Sequence, residues 1–244
     1  MNRPPGDAEP GYYTKDENIV IKGAADLSIR SLLDNQQFAD PLGLAQALGI
    51  SSAMWPLFGL LWPSAAYLAA RVVLRPVSAA ERILEVGCGL GLASLAAHRR
   101  GADITASDIH PLAELFLLEN LRRNGLGPMK YRHGDWAPLL IQAIAPKATP
   151  TAALSQAAGG GYDLIIGSDL LYDRDASSAL AGFLAWHAAP RAEIWIVDPN
   201  RGNRPAFNQR MGAAGFRRHE DALSAPASLS SAAYKGRMLT YQRG

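Results

Sequence analysis

The sequence has one cysteine, almost no net charge and no recognisable secretory signal. Cys88 alone cannot form an internal disulfide. Lys and Arg number 24 against 22 Asp and Glu, which leaves a formal charge of +2. That field is too weak to indicate nucleic-acid binding. The amino terminus, MNRPPGDAEPGYY, lacks the apolar core of a signal peptide. We therefore expect a cytoplasmic protein that does not bind nucleic acid.

The sequence also lacks an uninterrupted apolar run and a metal-binding pattern. Residues 53–74 are about as long as the roughly 20 residues that a bilayer requires. Pro56 and Pro63 interrupt this run, however, and Arg71 lies near its end. We predict an irregular loop followed by a helix, and no membrane span. The five histidines show no H-x-x-x-H spacing, so we predict no metal site.

The chain is long and apolar enough to bury the core of an α/β domain, with 244 residues of which 48% are hydrophobic. From residue 82 onward, short apolar runs alternate with helical patterns, as in a parallel sheet with crossover helices. The patterns predict strands at 83–86, 103–107, 130–133, 163–167 and 193–197, helices at 90–100, 111–124, 175–188 and 205–214, and an antiparallel pair at 216–220 and 237–242. We therefore predict a doubly wound, mostly parallel α/β sheet of seven strands.

Two segments stand apart from this alternation. Residues 1–54 form a predicted N-terminal extension with a small β element at 19–22 and 27–33, ahead of a main domain at 55–244. Within that domain, IQAIAPKATPTAALSQAAGGG is rich in Ala, Pro and Gly. We interpret it as a surface insertion, at about 141–161.

The stretch ILEVGCGLGLASLA indicates a ligand site at the end of the first core strand. Gly87, Cys88 and Gly89 follow that strand, at the sheet edge where α/β proteins bind ligands. Absent side chains let the backbone approach a ligand, and the next helix presents N–H groups. A dinucleotide fingerprint requires G-x-G-x-x-G, but here the third glycine comes one residue early, at Gly91. A nicotinamide cofactor is thereby disfavoured.

The pattern E-x-G-x-G-x-G favours the amino-acid end of S-adenosylmethionine (SAM) instead. Glu85 can hold the loop, directly or through water, and favours a cationic ammonium group nearby. Asp108 ends the second strand, where a carboxylate can accept both ribose hydroxyls. The alternative is that Asp108 caps the helix that starts near Pro111. Asp135 and Trp136 follow the third strand, where they can bind the adenine amine and ring or form a solvated turn.

The chain resembles a known group through the segments LWPSAAYLA, ILEVGCGLGLASLAAHRRGADITASDIHP, GDW and YDLIIGSDLLYD. Together they are similar to the seven-strand, class I SAM-dependent methyltransferases. More narrowly, they resemble methyltransferase family 16, the protein-lysine methyltransferases that include those acting on valosin-containing protein and on the electron transfer flavoprotein β subunit. The resemblance implies SAM contacts from Trp62, Gly87, Cys88, Gly89, Asp108, Trp136 and Ser168. It also matches Asp169 and Tyr172 to the family's D/E-x-x-Y/F motif at the substrate entrance.

The chemistry of Asp169 and Tyr172 agrees with this resemblance. Asp169 follows the fourth core strand, so it lies at the ligand edge, and Tyr172 comes three residues later. Methyl transfer to a lysine requires loss of a proton from an amine with a reference pKa of roughly 10.4. An acid can guide the cationic side chain, and a tyrosine hydroxyl can orient the nitrogen. The alternative is that Ser168 or Asp169 caps a helix.

These features predict a SAM-dependent N-methyltransferase, with a lysine of a partner protein as the acceptor. Asp169 and Tyr172 are the predicted catalytic residues. The same fold also serves small-molecule amine or pyridine N-methyltransferases, because fold does not determine substrate. A SAM-binding but inactive scaffold is the alternative outside enzymes. We expect a monomer and leave the role of the loop DPNRGNRP, residues 198–205, open.

Overall fold

The computed structural model describes residues 11–134, 161–172, 176–227 and 233–244. Its strands are β1 (Thr14–Ile19), β2 (Leu27–Leu32), β3 (Arg82–Val86), β4 (Asp103–Asp108), β5 (Lys130–His133), β6 (Tyr162–Ser168), β7 (Ala188–Asp198), β8 (Arg217–Ala225) and β9 (Tyr234–Arg243). Its helices are α1 (Leu44–Ala47), α2 (Pro63–Val73), α3 (Leu92–Arg99), α4 (Ala113–Arg123), α5 (Ala176–His187) and α6 (Arg204–Ala213), with a 3-10 helix at Trp55–Gly59. None of these helices is long and apolar enough to cross a membrane.

Within the described residues the main sheet has seven strands in the order β5-β4-β3-β6-β7-β9-β8. The strands from β5 to β7 in this order are parallel, whereas β9 runs antiparallel to both β7 and β8. The chain builds outward from β3 through β4 to β5, then returns to the other side of β3 with β6. The predicted α/β fold class and sheet are confirmed. The switch point between β3 and β6 is where such sheets bind ligands.

Alternate residues of the central strands enter two separate cores, because successive side chains of a strand point to opposite faces. Ile83 and Leu164 lie in one core, together with residues of α2, α3 and α4. Leu84 and Ile165 lie in the other, with residues of α5 and α6. Helices therefore cover both faces of the sheet, which explains why its central strands read as continuous apolar runs.

The N-terminal strands form a separate antiparallel pair, with Thr14 opposite Leu32 and Ile19 opposite Leu27. The predicted first strand at 19–22 was misplaced, because β1 is mostly polar and exposed and so lacks an apolar pattern. Ile21 follows β1 and is buried in the same core as Leu27 and the α4 residues. The hairpin thus packs on the main domain. The domain boundary at residue 54 stays a prediction.

Asn120 of α4 and Asn124, which directly follows α4, join the hairpin to the main domain. The Asn120 Oδ1 accepts a hydrogen bond from the Arg30 N–H at 2.8 Å, and its Nδ2 donates to the Arg30 carbonyl at 3.3 Å. Asn124 pairs in the same way with the N–H and C=O of Ser28, at 2.9 and 2.8 Å. The two side-chain amides therefore bind the free edge of β2 as a neighbouring strand would.

Asn120→Ala is expected to lower the free energy of unfolding by about 2 to 4 kcal/mol, since it leaves the N–H and C=O of Arg30 without partners in a buried place. Asn120 is fully buried, whereas Asn124 is half-buried. The matched variant Asn124→Ala should cost less, because water can replace its contacts. Urea unfolding of both variants measures the difference. Equal small losses would contradict the proposed role of Asn120.

Candidate functional site

A cavity of about 290 Å³ opens at the switch point, where β3, β4 and β6 end. It is close to the lower end of the range of about 300–1,000 Å³ seen for small-molecule sites. Most of the predicted site residues line it: Trp62, Gly87, Cys88, Gly89, Asp108, Ser168, Asp169 and Tyr172. The loop after β3, the end of β4 and the end of β6 therefore meet in one place, as their positions in the sheet require.

The glycines after β3 have a structural reason that does not involve a ligand. Gly87, Gly89 and Gly91 have φ values of 60°, 50° and 74°, a region that side chains disfavour. A Cβ at Gly89 would lie 2.7 Å from the Phe58 carbonyl oxygen. A Cβ at Gly91 would collide with the side chain of Leu117. The prediction attributed these glycines to close approach of a ligand. Backbone conformation and internal packing account for Gly89 and Gly91.

Cys88 lies between these glycines and is buried in the cavity wall. Burial raises the pKa of its thiol well above the usual range, and the nearby charges of Asp108 and Glu85 act in the same direction. The thiol is therefore protonated and has little nucleophilic character.

Glu85 is bound to the helix that follows the glycine loop and is not among the residues that line the cavity. Its side chain is 2% exposed. The Oε2 atom accepts hydrogen bonds from the N–H of Ser94, at 2.8 Å, and from the Ser94 hydroxyl. The carboxyl thus ties β3 to the first turn of α3. The predicted role of Glu85 in holding the glycine loop and its ammonium-binding role both stay predictions.

Burial raises the pKa of Glu85 from its ordinary value of 4.5 to about 7, although the Ser94 hydrogen bonds oppose the change. Between these values the folded protein binds more protons than the unfolded chain, so stability falls as the pH rises. Below about pH 4.5 this contribution is fully present, and it is lost above about pH 7. The Glu85→Gln variant cannot titrate at this position. Relative to that variant, the wild type should lose stability on the order of 3 kcal/mol between these limits.

Urea unfolding of both proteins from about pH 5 to about pH 8 measures this difference. Comparison with the variant cancels the other titrating groups, including His110, which affects both proteins alike. A difference in unfolding free energy that does not change with pH would show that Glu85 titrates normally.

Asp108 connects the glycine loop to the segment after β4. Its Oδ2 accepts from the Gly89 N–H at 2.8 Å and its Oδ1 from the His110 N–H at 2.9 Å. Burial raises the pKa of this carboxyl, whereas the two backbone hydrogen bonds lower it. Each carboxylate oxygen keeps a second acceptor position. The residue can therefore shape the loop and still accept hydroxyl groups of a ligand.

His110 is a cavity residue that the sequence reasoning missed. Its ring stacks on Phe58, with centroids 3.7 Å apart, and packs edge-on against Trp55. Nδ1 accepts a hydrogen bond from the Leu112 N–H at 3.2 Å, so the proton lies on Nε2, which is buried without a partner. Burial lowers the pKa of His110 to about 4, against the charge of Asp40. The ring is therefore neutral at pH 7 and has one donor available to a ligand.

The predicted catalytic segment follows β6 in an unusual backbone conformation. Asp169 has a φ of 58°, and its N–H donates to the Val197 carbonyl at 2.9 Å. Its Oδ1 accepts from Nη2 of Arg201 at 3.0 Å, rather than from the N–H group of a helix, and its Oδ2 is buried without a partner. Tyr172 also lines the cavity and is 43% exposed. A carboxylate and a phenol thus share this end of the cavity.

Arg201 joins this group from the loop after β7. Its N–H donates to Oδ2 of Asp198 at 2.9 Å, and Asp198 is fully buried. The next contact along the loop is Nδ2 of Asn203, which donates to the Leu171 carbonyl at 3.0 Å. The segment DPNR in the sequence was the available signal for this loop, but its spacing does not reveal which acid the arginine meets.

Solved structures share the arrangement of strands and helices. The ribosomal protein L11 methylase from Lactobacillus delbrueckii subsp. bulgaricus superposes with a TM-score of 0.52 at 18% identity, over 76% of this chain and 81% of that one. The chain has the class I methyltransferase fold. The magnesium protoporphyrin IX methyltransferase from Synechocystis, solved with bound SAM, gives a TM-score of 0.50 at 21% identity, over 74% and 76% of the two chains.

Sequence comparison relates this class I fold to lysine methyltransferases. The electron transfer flavoprotein β subunit lysine methyltransferase of Danio rerio is 28% identical over 158 residues, 64% of this chain and 54% of the relative. The protein N-lysine methyltransferase METTL21A of Danio rerio is 30% identical over 106 residues, 41% of each chain. The predicted resemblance to methyltransferase family 16 is thus confirmed. The chain spans about half the length of the flavoprotein-subunit relatives it matches. No protein-family model matches it.

Two predicted contacts of the class I site cannot be placed. Asp135 and Trp136 lie outside the described residues, as does nearly all of the predicted insertion. Within the described ranges no group of three or more His, Cys, Asp or Glu is arranged to hold a metal ion. The adenine contacts of Asp135 and Trp136 stay predictions.

Proposed function

We propose that this protein is a SAM-dependent N-methyltransferase that modifies a lysine side chain of a partner protein. The observation that carries the proposal is the position of Asp108 and Asp169 in one cavity, at the ends of β4 and β6. One carboxylate is suited to ribose hydroxyls and the other to an amine. The names of the sequence relatives support lysine as the acceptor.

The residues of the cavity fit SAM in size and chemistry. Asp108 offers acceptor positions for the ribose, and the half-buried Trp62 is oriented by a hydrogen bond from its Nε1 to the Leu57 carbonyl at 2.9 Å. Phe58 and His110 supply stacked ring surface, and the unpartnered Nε2–H of His110 is a donor for a ligand acceptor. When bound, SAM supplies an electrophilic methyl group on a sulfonium.

The residues around Asp169 prepare the acceptor. The lysine arrives as an ammonium, and Oδ2 of Asp169 can accept a hydrogen bond from its nitrogen. The ammonium must lose a proton to water before its nitrogen lone pair could accept the methyl group that SAM would supply. Tyr172 can hydrogen-bond to the nitrogen and direct the lone pair. The protein thus contributes position and exclusion of water rather than covalent chemistry.

Incubation with radiolabelled SAM tests this function. The substrates are recombinant electron transfer flavoprotein β subunit, suggested by the names of four relatives, and a cell lysate separated into protein, nucleic-acid and small-molecule fractions. We expect label in protein, recovered as methyllysine after hydrolysis, and none with Asp169→Ala. Label confined to small molecules would favour an amine N-methyltransferase, and label in nucleic acid would contradict the proposal.

SAM binding is measured separately by calorimetry. Binding without label in any fraction would favour an inactive scaffold, whereas absence of binding would contradict the assignment of the cavity. A cytoplasmic location and a monomeric state stay predictions.

A further inference from the structure

The Asp169 carboxylate forms an ion pair with Arg201 inside the cavity that is proposed to bind the substrate lysine. Arg201 also lines this cavity, and its Nη2 lies 3.0 Å from Oδ1 of Asp169. The Asp169 side chain is 10% exposed. Its other oxygen and the Nε of Arg201 are both buried and have no hydrogen-bond partner among the described residues. The ion pair is therefore formed by one hydrogen bond, and Oδ2 of Asp169 can accept a hydrogen bond from a further donor.

The loop that carries Arg201 is built to keep it at this place. Buried Asp198 accepts from the Arg201 N–H, Asn200 adopts a φ of 63°, and Asn203 ties the loop to the Leu171 carbonyl. A loop with a left-handed residue and a buried carboxylate costs free energy, and such cost is typical of functional sites. The loop thus holds the positively charged side chain of Arg201 next to Asp169.

A carboxylate without a counter-charge would harm methyl transfer. It would stabilise the lysine ammonium, raise the pKa of the bound amine and reduce the neutral fraction that can attack. Neutralisation of the carboxylate by an arginine removes this effect, and the remaining Oδ2 acceptor still orients an N–H of the amine. Arginine suits this role because its charge is permanent.

We propose that Arg201 is a positioning residue that neutralises Asp169, so that the acceptor amine is bound in its uncharged, nucleophilic form. The inference rests on the proposed function, because it concerns the amine that the methyl group reaches. The loop after β7 thereby helps the site to bind the neutral amine of the substrate in preference to the ammonium.

The other charged or titratable groups near Asp169 come from several elements. They are Tyr172 on the same segment, Asp198 at the end of β7, Tyr234 on β9, and Asp108 and His110 elsewhere in the cavity wall. Burial raises the pKa of Tyr234 to about 12, and His110 is neutral because burial lowers its pKa to about 4. Both groups therefore keep their charge state from pH 7 to about pH 10.

Binding of n-butylamine tests the inference without a protein substrate. This probe has the amine and methylene chain of lysine. Its affinity for the protein, saturated with S-adenosylhomocysteine, is measured by NMR titration from about pH 7 to about pH 11, which yields the pKa of the bound amine. In Arg201→Gln that pKa should lie at least about one unit above the wild-type value, a tenfold change in the neutral fraction.

Two variants separate this role from general charge effects. Arg201→Lys keeps a positive charge and should shift the bound pKa by less than about half a unit. Arg204→Gln removes the same charge from a residue that contacts Asn200 and Glu220 instead of Asp169, and should behave as the wild type. An unchanged pKa in Arg201→Gln, an equal shift in Arg204→Gln, or no binding of n-butylamine to the wild type would overturn the inference.

Turnover provides a second measurement on a labelled protein substrate. Near neutral pH, Arg201→Gln should lower kcat about tenfold while KM stays equal or falls, and kcat should recover to within about threefold near pH 10. A purely structural role predicts a loss that higher pH does not restore. Failure of S-adenosylhomocysteine to bind would contradict the proposed function and this inference together. A labelled substrate with an unchanged bound pKa would overturn the inference alone.

Discussion

Asp169→Ala is expected to lower turnover by at least about 100-fold while SAM affinity stays within a few-fold, the scale for loss of a positioning or proton-accepting group. The carboxylate lies in the cavity wall beyond the glycine loop and is held by Arg201. Its loss removes the acceptor for the substrate amine and leaves the Asp108 region intact. Tyr172→Phe should act in the same direction and more weakly, because only the hydroxyl is lost.

Single-turnover rate, SAM affinity and melting temperature are measured on the same preparation of each variant. Asp163→Ala is the matched control, because Asp163 accepts the Arg82 N–H at the other end of β6. That control should lose stability and keep its turnover per folded molecule. A destabilised Asp169→Ala protein with normal turnover would instead assign a purely structural role to Asp169.

Asp108→Ala is expected to weaken SAM binding by about 30-fold or more, since loss of a carboxylate that accepts paired hydrogen bonds costs about 2 to 3 kcal/mol. The variant should also be less stable by about 1 to 2 kcal/mol, because the N–H groups of Gly89 and His110 lose their acceptor. Calorimetry with SAM, at a temperature where each protein is folded, measures the affinity.

Asp103→Ala is the control for this prediction. Asp103 lies at the opposite end of β4 and pairs with exposed Lys130 at 2.6 Å, so its removal deletes the same charge far from the cavity. SAM affinity in this variant should match the wild type. If Asp108→Ala loses stability but binds SAM within about threefold of the wild type, its carboxylate serves only the loop and not the ribose.

Much of the site could be predicted because β3, β4 and β6 are recognisable in the sequence from short runs that alternate with helical patterns. In a parallel sheet their carboxyl ends meet at one edge, so Gly87, Asp108 and Asp169 had to be neighbours once the strands were recognised. The cavity contains all three. Gly87 and Asp169 are about eighty positions apart in the chain, and their proximity in the fold thus followed from a local pattern that is repeated along the chain.

Other features depend on contacts that no spacing reveals. Gly89 is required by the Phe58 carbonyl, which comes from the 3-10 helix ahead of the sheet. Glu85 binds Ser94 because its strand position faces α3, and so it joins β3 to α3 instead of lining the cavity. In the sequence, nothing distinguishes His110 from any other histidine that follows a strand. The structure shows that its ring stacks on Phe58 and that its Nε2 has no partner among the described residues.

The sequence by itself determined the α/β alternation, the strand ends that carry ligand-binding groups and the resemblance to lysine methyltransferases. These properties follow from local periodicity and from residue types at strand ends. Only the tertiary structure decided that Arg201 pairs with Asp169 and that Asn120 and Asn124, at the end of α4, bind the edge of β2. Such pairings depend on the relative positions of elements that are distant in the chain, because a charge or an amide finds its partner only after the sheet and helices have packed.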